Sequence, residues 1–347
     1  MNDSSRQEGD ATDTPAWDVL RSLGLTDDDV RKVNDGLVLG RVSIVHGATG
    51  EVIGSDANGR EFITTCHFSA SLDLLPVAGD WVGLKDSQIV RVLARRNALR
   101  RPDPNGRDIQ VLAANLDLVL LVVPIDRGLN VRMLERFAIM AWESGARPFV
   151  VLTKSDEATD IDALLEETRL AVPGVEVLTT SSHSGEGIEH LRSLLHEGIT
   201  AVMLGASGAG KTSLLNALEG SDEVTRTVNR SGEGRHATTT RKLYRLTSGG
   251  VLLDIPGIRL LDLMVGQEGV DETFSDIGEL ALGCRFRDCR HHGDLGCAVE
   301  AAVAAGELPA RRLENWRLIQ AELAHQEHRR SPEEMAKQRR RGKGTKK

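Results

Sequence analysis

The sequence predicts an α/β core built on a parallel sheet, preceded by a small OB-like β-barrel and followed by a mostly helical, cysteine-bearing segment. Three observations predict it. Between Leu116 and Leu218, short apolar runs alternate with stretches of helical periodicity. From Gly36 to Leu99, β-prone runs are broken at short intervals by Gly, Asn and Asp. Beyond Leu260 the strand signals give way to helical ones, and Cys284, Cys289 and Cys297 fall close together.

A chain of 347 residues with 40% hydrophobic and 27% charged residues has room for two or three domains around ordinary cores. No apolar run reaches the roughly 18–20 residues that span a bilayer, and the first fifteen residues are polar and acidic, unlike a signal peptide. A cytoplasmic protein with no membrane partner is expected. The net charge of −8 does not suggest nucleic-acid binding, but the charge is unevenly spread. Residues 1–35 carry nine acids against four bases, whereas residues 333–347 carry seven bases against two acids. Arg91, Arg95, Arg96, Arg100, Arg101 and Arg107 crowd a further stretch. Such local patches can hold a phosphate backbone on a protein that is acidic as a whole.

Taken in order, residues 1–35 form an acidic extension with a short helix expected around Trp17–Val33. Residues 36–100 carry strands of the length and spacing of a five-stranded OB-like barrel. Residues 101–264 form the α/β domain. There, Leu116–Pro124 is apolar throughout, as in a strand buried on both faces. Further strands are expected at Phe149–Leu152, Val175–Thr179 and Thr200–Leu204, with helices at Arg132–Ser144, Asp162–Ala171, Ile188–Leu195 and Lys211–Leu218. A hairpin is expected over Arg241–Thr247 and Val251–Asp254. Residues 265–330 read as helical, with an apolar stripe on Pro309–Arg329 through Leu313, Trp316 and Leu323, and residues 331–347 are a basic tail.

The chemistry sits at the strand ends. Gly205, Ala206, Ser207, Gly208, Ala209, Gly210, Lys211 and Thr212 form a GxxxxGK[ST] phosphate loop, followed by Ser213. Its glycines let backbone N–H groups approach phosphates, Lys211 is expected to bridge the β- and γ-phosphates, and the Thr212 hydroxyl to ligate Mg²⁺. Asp254 to Gly257 (DIPG) ends an apolar strand, as the Mg²⁺/γ-phosphate motif of a GTPase should: Asp254 would hold the ion and Gly257 would touch the γ-phosphate. Thr153, Lys154, Ser155 and Asp156 read as the guanine-selecting motif, because one carboxylate can accept from both N1–H and the 2-amino group of guanine, a donor pair adenine lacks. Ser181 and Ser182 resemble the loop that meets guanine O6. The guanine motif precedes the phosphate loop, whereas in ordinary GTPases it follows. The α/β domain is therefore expected to be a circularly permuted P-loop GTPase. Between phosphate loop and DIPG, GEGRHATTT stands where switch I belongs, with Thr238 or Thr239 as the γ-phosphate threonine. Ile258 occupies the position of the water-orienting Gln of many GTPases and cannot do its work; His236 is the nearest polar candidate.

Cys284, Cys289, His291 and Cys297 supply three thiolates and an imidazole, a tetrahedral structural zinc set. On chemistry alone His292 could replace His291. Cys66 reads as a buried strand residue.

Together the stretches TKSD, GASGAGKTSLLN, GRHATTT, DIPGIR and CRFRDCRHHGDLGCAV resemble the ribosome small-subunit-dependent GTPase A family (RsgA, also called YjeQ), over residues of about 36–330. The resemblance implies a late-acting assembly factor that binds the small ribosomal subunit and its 16S rRNA, hydrolyses GTP to GDP when so bound, and is then released. It implies one zinc on Cys284, Cys289, His291 and Cys297, magnesium with GTP, and rRNA contacts from barrel and zinc domain. It also implies that His236 aids hydrolysis. Ala237 departs from the Thr often found in the family, and the acidic extension lies outside the resemblance. A monomer is expected. The other reading weighed is an RNA-binding scaffold with incidental GTP turnover, its affinity carried by Arg91–Arg107 and the basic tail; a P-loop ATPase or kinase is disfavoured by Asp156.

Overall fold

In this computed structural model, residues 17–31, 36–56, 58–102, 109–220, 242–255 and 266–329 are described. The β-prone runs after Gly36 form five strands: β1 (Val38–His46), β2 (Thr49–Ser55), β3 (Glu61–Phe68), β4 (Trp81–Lys85) and β5 (Gln88–Val92). Their order, 1-2-3-5-4, closes because β4 also pairs with β1. The β3–β5 pair is parallel and the others are antiparallel. This is the OB-like barrel expected from strand spacing. Val42, Val52, Cys66, Val82, Leu84 and Ile89 fill its interior, so Cys66 is the plain buried residue anticipated.

A hairpin that the sequence reading missed follows: β6 (Ala98–Pro102) and β7 (Ile109–Ala114). The Arg-rich run here had suggested a basic surface, and only part of it is one. Arg95 makes two 2.7 Å bonds to the fully buried Asp80, and Arg96 pairs with Asp117 at 3.2 Å. Burial pushes the Asp80 carboxyl up, and Arg95 opposes that.

The α/β core comprises β8 (Leu118–Pro124), α3 (Val131–Glu143), β9 (Arg147–Thr153), α4 (Ile161–Ala171), β10 (Glu176–Thr180), α5 (Ile188–Leu194), β11 (Thr200–Leu204), α6 (Lys211–Glu219), β12 (Lys242–Arg245) and β13 (Val251–Asp254). The strands run in the order β10-β9-β8-β11-β13, all parallel, with β12 antiparallel to β13. β8 and β11 are apolar along nearly their whole length because helices cover both faces, which form two separate apolar layers. β12 also pairs with β1 at Ile44 and Lys242, so barrel and core share one hydrogen-bonded sheet.

The expected single helix at Trp17–Val33 is two short ones, α1 (Asp18–Ser22) and α2 (Asp27–Arg31), split at Gly24, whose φ is +90°. Thr26 and Asp29 cap α2 reciprocally through their side chains and backbone N–H groups. Within it, Leu20, Leu23 and Leu25 enter the main core. Arg41 of β1 is wholly buried where it meets the barrel and the sheet. Its guanidinium donates to the carbonyls of Leu23, Gly79 and Asn115 and to the Thr200 hydroxyl, and it lies over the Trp81 ring at 5.1 Å. Burial pulls its pKa down to about 10.

The C-terminal helices are α7 (Gln267–Thr273), α8 (Ser275–Ala281), α9 (Ala298–Ala305) and α10 (Ala310–Arg329). Leu313 and Ile319 of α10 bury in a third apolar cluster, with Trp316 and Leu323 packed against it, as the helical stripe predicts. The cluster includes Ile139 of α3, so these helices dock on the α/β core. The contact is polar as well. Buried Arg312 of α10 bonds Glu135 of α3 at 3.0 Å, holds Asp276 with two bonds, and lies over Phe274. Asn315 donates to the other Glu135 oxygen at 2.8 Å.

Burial pushes the Glu135 carboxyl up to about 7, Arg312 working against it. A carboxyl whose folded pKa lies above its unfolded value binds extra protons in the native state. Its contribution to stability is full below about pH 4.5 and is lost as pH rises towards 7. Glu135→Gln should remove that part of the pH dependence. Wild type should lose about 1–3 kcal/mol relative to the variant between pH 4.5 and 7.5, measured by urea unfolding.

Candidate nucleotide site and metal centre

The parallel register brings the motif-bearing strand ends to one edge. Thr180 pairs with Thr153, Thr153 with Pro124, and Leu121 with Leu204, while Met203 sits beside Asp254. Loops at the C-terminal ends of such strands are where open α/β sheets bind ligands.

The phosphate loop spans Gly205 to Gly210, between β11 and α6. A Cβ on Gly205 would stand 2.5 Å from the Val122 carbonyl, so no other residue fits against β8 there. Gly208 and Gly210 have φ values of +78° and +90°. Gly208 and Ser207 are exposed, Ala209 is buried, and Ala206 is half-buried. Lys211 folds its ammonium onto the carbonyls of Gly205 (2.7 Å) and Ala206 (3.0 Å). Thr212 and Ser213 are exposed on the first turn of α6.

Asp254 ends β13 close enough for its charge to act on Lys211. Burial pushes the Asp254 carboxyl up and the Lys211 ammonium down, each group partly offsetting the other's shift. Asp254 Oδ1 is buried and has no hydrogen-bond partner among the described residues. A buried carboxylate oxygen without a partner is costly. The oxygen donor set of Asp254 and Thr212 fits magnesium, which a GTPase of this kind takes with its nucleotide. Gly257 and Ile258, and His236, Ala237, Thr238 and Thr239 of the expected switch I, lie outside the described residues.

The TKSD loop follows β9. Thr153 is buried and donates through Oγ1 to the Ala209 carbonyl at 2.7 Å, which ties this loop to the phosphate loop. Lys154 has a left-handed backbone, φ +62°, and its ammonium meets Asp126 at 2.8 Å. Ser155 is buried and donates to Glu186 at 2.9 Å. Asp156 is exposed, and a hydrogen bond from the Ser181 side chain holds its carboxyl below the usual carboxylate range. Ser181 is buried at the end of β10 and its Oγ accepts from the backbone N–H groups of His183 and Ser184. Ser182 beside it is exposed. The predicted residues Thr153 to Asp156 and Ser181 are thus brought together. Asp126 and Glu186, which the sequence reading did not single out, support them. Asp126 could have been found: it directly follows an apolar strand that ends at the ligand edge.

The second cluster lies in the C-terminal helices. The donor atoms of Cys284, Cys289, His291 and Cys297 all lie within 4.8 Å of one another. His291 Nδ1 is 3.3 Å from Cys297 Sγ and 3.5 Å from Cys284 Sγ. His292 is exposed and lies outside this group of four, so the structure separates the two histidines that ligand chemistry alone could not. Backbone N–H groups of Ala298 and Glu300 donate to the sulfurs of Cys284 and Cys297, and the His291 ring packs on Trp316 at 5.4 Å. Three sulfurs and one imidazole nitrogen in this arrangement could hold one structural zinc in tetrahedral geometry.

A model of the RsgA GTPase family matches residues 92–264. A Streptomyces avermitilis protein named small ribosomal subunit biogenesis GTPase RsgA is 47% identical over 251 residues, covering 70% of this chain and 68% of that one. Its namesake from Streptomyces coelicolor is 42% identical, covering 83% of this chain and 81% of that one. Among solved structures, YjeQ from Thermotoga maritima superposes with a TM-score of 0.61 at 27% identity, over 83% of this chain and 98% of that one. The order of motifs, the barrel in front, the Cys3His cluster behind and these relatives lead to one conclusion: the chain belongs to the RsgA GTPase family.

Proposed function

We propose that the protein is a GTPase of small-subunit biogenesis, which binds the small ribosomal subunit, hydrolyses GTP while bound and is then released. The observation that carries this reading is the single ligand edge at which the phosphate loop, Asp254 and the Thr153–Asp156 loop converge. Lys211 would leave its loop carbonyls for the β- and γ-phosphates, and the N–H groups of Gly205–Lys211 would cradle them. Thr212 and Asp254 would hold magnesium, which when bound neutralises charge on the phosphates. Asp156 would read guanine, with Ser181 and Ser182 against O6 and Lys154 along the base. Thr238 or Thr239 would contact the γ-phosphate, Gly257 would donate to it, and His236 would orient the attacking water.

Ile258 in the place of a glutamine supports a site completed by the partner. Barrel and zinc centre both offer exposed surfaces suited to 16S rRNA: Arg91 and Arg100 beside the barrel, and Arg285, Arg287 and Arg290 around the cysteines. The basic tail 331–347 would add phosphate contacts. The protein would act as a monomer in the cytoplasm; among the described residues no helix is long and apolar enough to cross a membrane.

Asp156→Asn tests the base assignment. The amide presents a donor where guanine needs a second acceptor, so GDP affinity should fall about 100-fold or more and xanthosine diphosphate should become the preferred ligand. Competition binding with the two diphosphates reads it; an unchanged preference for GDP would remove Asp156 from the site.

A further inference from the structure

We infer that Asp126 is a positioning residue of the nucleotide site, acting by holding the Lys154 ammonium over the path that the nucleoside sugar must cross. The inference rests on the reading of the β9 and β10 loops as the guanine site.

Sheet order sets the path. β8 lies between β9, which leads into the Thr153–Asp156 loop, and β11, which leads into the phosphate loop. A nucleotide with its base at the first loop and its phosphates at the second must lay its sugar across the end of β8. Asp126 stands there, two residues past Pro124, and the Ile125 N–H bonds the Thr153 carbonyl at 3.1 Å, which locks the end of β8 to the start of the guanine loop. Asp126 Oδ2 meets Lys154 Nζ at 2.8 Å. The Asp126 side chain is only 14% exposed and that of Lys154 34%, so the pair is partly shielded from water. The charged group facing it besides Lys154 is Arg127, whose Nε is 4.0 Å from the same oxygen but whose side chain is 94% exposed.

The need for such an anchor follows from the backbone. Lys154 sits at φ +62°, a conformation that costs a non-glycine residue and is kept only where the surroundings enforce it. Thr153 on one side is pinned to the phosphate loop and Ser155 on the other to Glu186. Lys154 between them carries a long, flexible stem. Asp126 gives that stem one direction before the nucleotide arrives, so less freedom is lost on binding. Asp126 touches no reacting atom in this account. Its effect belongs to binding of GDP and GTP alike.

The test is a double-mutant cycle on the full chain with D126A, D126N, K154A and the double variant D126A/K154A. GDP and a non-hydrolysable GTP analogue are titrated calorimetrically, with ADP as control, and KM and kcat are measured for GTP with small ribosomal subunits. D126A should weaken both guanine nucleotides by about 3- to 10-fold and raise KM by the same factor, with kcat unchanged. D126N keeps an acceptor oxygen and should restore affinity to within about twofold of wild type. In the K154A background, D126A should have no further effect, since the coupling would already be lost. Losses that add independently, or full affinity in D126A, would overturn the role of Asp126 while leaving the guanine site intact. A wild-type protein that binds ADP as well as GDP would overturn the guanine reading itself, and this inference with it. Should D126A fail to fold, D126N and K154A close the argument alone: an affinity of D126N as low as that of K154A would contradict it.

Discussion

Lys211→Ala should lower GTP turnover by about 10²- to 10³-fold, the scale seen when one preorganised charge-stabilising donor is removed from a transition state. Its ammonium rests on two carbonyls of its own loop, while Leu214, Leu215 and Leu218 are the side chains that bury α6. The variant should therefore melt within a few degrees of wild type. Burial already presses Lys211 towards neutrality, with Asp254 opposing, so the free site is poised to gain when phosphate charge arrives. Binding of nucleotide should weaken less than turnover, because a lysine that follows charge onto the transferring phosphoryl contributes most in the transition state. Steady-state hydrolysis with small subunits, beside calorimetric binding of GDP, separates the two effects. Turnover within about threefold of wild type would mean that another group stabilises the transferred phosphate, and would favour a scaffold whose GTP turnover is incidental.

Cys297→Ala should abolish metal binding and unfold the segment around the cysteines. Cys297 does three things at once: it offers a ligand sulfur, it caps the start of α9 by accepting from the Glu300 N–H, and it is a buried member of the apolar cluster that holds α7 to α10 together. Structural zinc in small fingers supplies about 10–16 kcal/mol of apparent folding free energy. Here the apolar cluster and the Arg312–Glu135 contact share the burden, so the loss should be local. Metal content should fall from about one zinc per chain to nearly none. Amide exchange should rise across residues 284–300 and stay low in β8, β9 and β11. GDP affinity should remain within about twofold, since the strand ends that carry the nucleotide loops lie outside that cluster. A variant that retains its metal would remove Cys297 from the ligand set.

Much of this arrangement was legible in the residues because the signals were redundant. β11, the phosphate loop and α6 combine an apolar run, a glycine pattern and a helix start, and the predicted bounds Thr200–Leu204 match the strand residue for residue. β8 was equally plain, since a strand covered on both faces needs no alternation. The barrel was legible as spacing, although only the structure gives its closed order and the parallel β3–β5 pair. Three features were hidden for physical reasons. The arginine-rich stretch that leads into the β6–β7 hairpin was read as a basic surface, yet Arg95 just before β6 spends its charge on buried Asp80, a partner fifteen residues away that no local pattern reveals. The N-terminal segment read as an acidic extension with one short helix because its acids outnumber its few leucines, and those leucines are the ones that enter the core. The choice of His291 over His292 turns on a left-handed backbone at φ +55° that aims one ring inward, and neighbouring identical residues carry no sequence signal for that.

The pairing of Lys242 with both Asp254 and Ile44 places the barrel one strand away from the carboxylate at the phosphate end of the site. Arg245 of the same strand bonds Glu61 of β3 at 2.6 Å. Arg91 of β5, one of the residues assigned to RNA, and the site assigned to GTP are thus parts of one sheet, which suits the proposed dependence of hydrolysis on the partner.

The most direct test of the central claim is the rate of GTP hydrolysis by the purified protein with and without small ribosomal subunits, with large subunits and ATP as controls. A slow rate alone, a rise of more than about tenfold with small subunits only, and no turnover of ATP are the results this account predicts. A rate indifferent to small subunits, in a protein that still binds GTP, would contradict it.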